Sequence, residues 1–149
     1  MTYEDIFSRF YLKETDPSLF KLTKEDAYEK MYGWLHSVAS IPYVSKCFST
    51  LTLDDELNEI TFILRNPMED EESNEDFIIE MFAQGMVICW MRPQIDKNIN
   101  LAAVIGGKEE KSMLNNYKAN IARLEALERN LKKFIRDYGY FNNDYIGES

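Results

Sequence analysis

The sequence predicts a mainly α-helical protein, a bundle of about four helices with a long C-terminal helix and a β-hairpin insertion. Three observations carry that expectation. Apolar residues recur at three- and four-residue steps near the C-terminus, threonine-plus-acid start signals open two earlier segments, and "CFSTLTL" and "EITFIL" are rich in β-branched and aromatic residues. At 149 residues, 45% of them apolar, the chain is long enough for one domain with a real core, expected across 1–149.

Thr2 with Asp5 resembles a capping box and opens a first helix with Ile6, Phe7, Phe10 and Tyr11 on one side. Asp16-Pro17 turns the chain. Thr23 with Asp26, and Leu22 placed against Ala27 as a staple, start a second helix running to about Ala39 that buries Ala27, Tyr28, Met31, Leu35 and Val38; "SIPY" ends it. An acidic hairpin or loop insertion is expected at about 43–76, with "DDELN" as the turn; a helix beginning at Asp54 is the rival pattern.

A third helix is expected from near Asn74, its apolar residues covering almost the whole circumference, as in a helix surrounded on most sides. Pro93 should kink it or end it at Met91 or Arg92. "NINLAAVI" reads as a short helix, a packed loop, or the same helix continued past a kink, and Gly106-Gly107 as a second break. The last helix, 111–138, would reach about 42 Å, longer than a compact domain of this size needs, which suggests a partner outside its own chain. An aromatic docking tail is expected at about 139–149. The candidate core residues are Phe82, Trp90, Pro93, Leu124 and Leu131.

The formal charge of −9 is concentrated between Asp54 and Asp76, where ten acids (Asp54, Asp55, Glu56, Glu59, Glu69, Asp70, Glu71, Glu72, Glu75, Asp76) meet one base, Arg65. Such a block is ordinarily a solvated surface. It has no glycine, which disfavours a calcium loop, and no basic patch stands out for sequence-specific nucleic-acid binding. Cys47 and Cys89 have no zinc spacing and read as reduced core residues; His36 has no triad partner in sequence; "IGGKEEKS" lacks the phosphate-loop pattern. These features point away from an enzyme and imply no cofactor. No run reaches a membrane span, and "MTYEDIFSRF" has acids where a signal peptide needs bases.

The segments "TYEDIFSRF", "LTKEDAYEKM", "NEDFIIEMFAQGMVICWMRPQI" and "NYKANIARLEALERNLKKFIRDYGYFNN" together resemble the head-tail connector (adaptor or neck) proteins of tailed bacteriophages and prophages of Gram-positive bacteria. The likeness is strongest in Trp90 followed by Pro93, in "YKAN" and in "DYGYFNN". It implies a structural protein made in the host cytoplasm and placed in the virion neck. There it would dock on the portal protein as a ring, taken as a dodecamer, extend the DNA channel and receive the next neck, stopper or tail-completion protein. DNA would only pass through, without specific binding.

In that frame Asp54, Asp55, Glu56, Glu59, Glu69, Asp70, Glu71 and Glu72 are candidate channel-lining acids, and Tyr138, Tyr140, Phe141 and Tyr145 candidate docking residues. A different class of function, a small acidic phage-encoded inhibitor that imitates nucleic acid and binds a host enzyme, is the alternative.

Overall fold

The structure, a computed structural model, describes residues 1–142, without the side chains of 98–104 and 139–142. Helix α1 (Tyr3–Lys13) and the single turn α2 (Pro17–Phe20) precede α3 (Lys24–Ala39) and a second single turn, α4 (Pro42–Ser45). Strands β1 (Phe48–Asp54) and β2 (Glu59–Leu64) form the hairpin, and the chain finishes in α5 (Glu71–Ile105) and α6 (Gly107–Asn142). The mainly helical class, the hairpin and the long C-terminal helix are therefore as the sequence indicates.

Local chemistry explains the starts. Thr2 and Asp5 exchange both bonds of a capping box, and Thr23 accepts from the Asp26 N–H, satisfying helix N-termini that would otherwise lack partners. Asp16 caps α2, and Pro17 and Pro42 stand at helix starts, where a missing N–H is harmless. The hairpin turn is closed by Asp54, whose Oδ1 accepts from the N–H groups of Glu56 (3.0 Å) and Leu57 (3.1 Å). Asn58 completes it at φ 54°, a left-handed conformation that asparagine tolerates better than most residues.

Three sequence expectations change. α5 begins at Glu71, not Asn74, because the acids read as loop sit at the positive end of the helix. The buried Asn74 amide instead clasps the Met68 backbone, accepting from its N–H (2.7 Å) and donating to its carbonyl (3.0 Å). α5 also runs through Pro93 to Ile105. Proline removes one hydrogen bond there, while buried Trp90, Met91 and Ile95 hold the helix on both sides of it. Pro93 itself is exposed and is not a core residue. Leu124 is half-buried against the core, and Phe82, Trp90 and Leu131 are buried.

α5 and α6 are joined at Gly106 (φ 72°) and Gly107 (φ 69°), where side chains are strained and glycine is not. At 35 and 36 residues they reach about 52 and 54 Å and pack along each other, so the length of α6 is matched inside its own chain. A compact domain of 149 residues is only about 40 Å across. Among the described side chains, none between Asp96 and Asn116 joins the hydrophobic cluster.

That cluster is built around α5. Phe77, Ile78, Met81, Phe82, Met86 and Ile88 meet Ile6, Phe7 and Phe10 of α1, Leu35 and Val38 of α3, Phe48, Ile60 and Leu64 of the hairpin, and Leu131 of α6. Gly85 makes the α3 approach close: a Cβ there would lie 2.7 and 2.8 Å from the two Val38 methyls. Valine has little rotameric freedom with which to yield. Gly85→Ala should lower stability by about 1–2 kcal/mol in urea melts, overpacking outweighing the gain in helix propensity. Adding Val38→Ala should restore most of it; an alanine variant as stable as the parent would show that the contact relaxes freely.

Candidate functional site

The acids adjacent in sequence separate in space. Asp54, Asp55, Glu56 and Glu59 gather at the hairpin turn, and Glu69, Asp70, Glu71 and Glu72 lie at the start of α5. Between them β2 alone spans about 17 Å at roughly 3.3 Å per residue. Several of these carboxylates have local structural work. Asp54 closes the turn, and Asp70 accepts from Ser73 Oγ (2.7 Å) and the Glu72 N–H (3.3 Å), which draws its carboxyl below the usual range. Glu71 and Glu72 are exposed.

Asp55 is the centre of the turn patch. Tyr3 donates its hydroxyl to Asp55 Oδ1 (2.6 Å), and His36 Nε2 stands 2.9 Å from both carboxylate oxygens. The Tyr3 bond first, then His36, holds the Asp55 carboxyl below its ordinary range, and burial beside Asp55 pushes the Tyr3 phenol up. Asn58 strengthens the same junction, accepting from Tyr32 OH on its side chain (2.7 Å) and from the Tyr3 N–H on its backbone (2.8 Å). The histidine without a partner in sequence is thus part of a Tyr-Asp-His network that ties the turn to α1 and α3.

The second patch borders an open groove of about 690 Å³ between the start of α5 and the end of α6. Its apolar floor is Met68, Phe77, Ile79, Phe134 and Tyr138, and its rim carries Asp70, Glu72, Glu75, Asp76 and Asp137 beside Arg9. Tyr138 stacks on Phe77 with centroids 3.7 Å apart and donates its hydroxyl to the Asn66 carbonyl (2.6 Å). The structure therefore brings one expected docking residue together with two expected channel acids, Asp70 and Glu72. Tyr145 lies outside the described residues, as do the side chains of Tyr140 and Phe141.

Arg9 is occupied at this groove by Asp76 (2.8 Å) and Glu80 (3.4 Å), and Lys13 also reaches Glu80. Burial raises the Glu80 carboxyl, but the bonds from Lys13, Gln84 and Arg9 outweigh it and hold the group below its usual range. A buried Glu14 receives Arg123 of α6 (3.0 Å), and Arg92 pairs with Glu128. Charged contacts thus lock α1 to α5 and both to α6.

Trp90 stands between two further shallow grooves. One includes Glu14, Gln94, Asn120 and Arg123; the other includes Leu19, Trp34, Pro93 and Gln94. Trp90 and Pro93 thus lie at one level of the α5–α6 pair with Asn120 of "YKAN".

Cys47 and Cys89 are free, partly buried thiols, and burial pushes Cys47 up to about 11. Among the described residues no group of three His, Cys, Asp or Glu is arranged to hold a metal ion, and no helix is long and apolar enough to cross a membrane. No protein-family model matches the chain, and no curated protein or solved structure matches it.

The lowered carboxyl of Asp55 fixes the sign of a pH effect. Its contribution is present above the ordinary aspartate range and is lost as pH falls through the lowered value. Because the group is half exposed, the effect should stay within about 1 kcal/mol. In the parent protein, amide exchange at Tyr3 and Ile60, taken relative to the intrinsic rate at each pH, should show an excess acceleration on acidification. Asp55→Asn should remove most of that excess, and an identical pH profile in the variant would show that Asp55 does not hold the turn.

Proposed function

We propose that this chain is a non-enzymatic structural protein of phage assembly, a head-tail connector adaptor. It docks on the portal as a ring, taken as a dodecamer, in the virion neck, extends the DNA channel and presents a surface to the next neck or tail-completion protein. The observation that carries this reading is where the connector-like segments come together. Trp90 and Pro93 lie level with Asn120, and "DYGYFNN" begins at Asp137, beside the Phe77 of "NEDF".

Two distant parts of the sequence thus converge at two levels of one helical pair, which runs past the core as far as the described side chains form it. A rigid element longer than its own hydrophobic cluster leaves helix surface for neighbours in a ring. The two acidic patches supply like charge along which a polyanion slides without sticking.

Imitation of nucleic acid asks for one continuous array of acids. The separation of the two patches, and the use of Asp54, Asp55 and Asp70 in turn and cap bonds, favours the adaptor instead.

Cross-linking mass spectrometry on the protein mixed with portal rings, following Lys108, Lys111, Lys118 and Lys132, should give links to portal and links between identical subunits. Protein that stays free of portal in infected cells and is recovered with a host enzyme would contradict the adaptor reading.

A further inference from the structure

We infer that the outer edge of β1 is a self-association site at which a second copy of this chain pairs through its own β1. Among the described residues, the two-stranded sheet leaves β1 with β2 as its only strand neighbour. On the far side of β2, Ile60 donates its N–H to the Met1 carbonyl (2.8 Å) and Asn58 accepts from the Tyr3 N–H (2.8 Å), so the N-terminal residues cover the start of that edge.

The direction of the Ile60 bond fixes the ladder. Ile60 and Phe62 point their backbone groups away from β1, so their partners Leu53 and Leu51 point theirs away from β2. The N–H and C=O groups of Leu51 and Leu53 therefore face outward. Among the described residues none of these groups has a hydrogen-bond partner.

Exposed edges are normally guarded by lysine, proline or a bulge. From Phe48 to Leu53 there is no charge and no proline, and the single irregularity falls at Ser49, leaving Thr50 to Asp54 regular. Exposed Thr50 and Thr52 flank Leu51, whose side chain is half-buried against the core, and Ile63 beside them is 59% exposed.

The sequence of β1 selects its own copy as the occupant. Antiparallel pairing about a two-fold axis at Leu51 sets Leu51 against Leu51, Ser49 against Leu53 and Thr50 against Thr52, with no two like charges opposed. Leu51 then supplies the central hydrogen-bonded position, and Leu53 meets Ser49 at the bulge. Thr50 and Thr52 of the two copies occupy the close, non-hydrogen-bonded positions, where threonines pair well.

A contact one strand long is smaller than the roughly 1,000 Å² that stable interfaces bury, so the dimer is weak and concentration-dependent. A two-fold contact closes on itself. It is therefore distinct from the contacts of a ring and does not rest on the adaptor reading.

Sedimentation velocity on the full chain without portal, from micromolar to sub-millimolar concentration, tests the pairing. The wild type should show a monomer-dimer equilibrium. Thr50→Lys with Thr52→Lys places lysine opposite lysine and should weaken it about tenfold or more, as should the matching double glutamate variant. Mixing the two variants should restore the dimer. Both positions are exposed, so the fold should survive, which circular dichroism checks.

In the wild type, exchange of the Leu51 and Leu53 amides should slow as concentration rises. A monomer throughout the range, association unchanged in the lysine variant, or amide exchange independent of concentration would overturn the inference.

Discussion

The architecture depends on the burial of α5 around most of its circumference. Phe77 stacks on Phe134 and Tyr138 of α6, Phe82 meets Phe48 of the hairpin, and Gly85 lies against Val38 of α3. Such a helix has no polar face to leave in water, so α1, α3, the hairpin and α6 must all come to it. Gly85 sets how near α3 can approach, because the Val38 methyls occupy the space a side chain would need. Ion pairs at Glu80 and Glu14 then fix α1 against α5 and α6 without supplying the main driving force.

The same constraint determines where surface is left for other molecules. Among the described side chains, apolar packing ends near Ile95 on α5 and begins near Tyr117 on α6, although both helices continue past those points. At the opposite end the start of α5 and the end of α6 meet beside a groove with an aromatic floor and an acidic rim. Opposed helix termini largely cancel each other's dipoles there, so the side-chain carboxylates set the local potential. A protein that must hold neighbours while a polyanion passes has use for both features.

Much of the fold was legible in the sequence. The Thr2 and Thr23 caps, the stripe of α6 and the β-rich pair of segments each declare themselves within a few residues. What misled was a local rule overridden by tertiary packing. Pro93 reads as a kink or a stop, yet it stands between buried Met91 and Ile95 and α5 runs on through it. The acids before Asn74 read as loop, yet they suit a helix N-terminus. The length of α6 exceeds what a compact domain needs, and α5, nearly as long, packs along it.

The candidate site was less legible because its pairings are spatial. Nothing in the sequence joins Tyr3, His36 and Asp55, and the single acidic block becomes two patches only after the hairpin extends. Asn58, Asn74 and Gly85, which hold the turn, the start of α5 and the α3 contact, belong to no motif. Gly85 sits inside an apolar helix, where glycine costs helix propensity unless a close neighbour uses the missing side chain, as Val38 does.

The most direct test of the central role of α5 is native-state hydrogen exchange resolved by residue. Amides from Phe77 to Ile95 whose hydrogen bonds are intact should exchange only through global unfolding, with the same free energy and denaturant dependence as whole-protein melting. Protection of this stretch below that of α1 or α3 would contradict the account, since the elements packed on α5 would then outlast the helix meant to hold them.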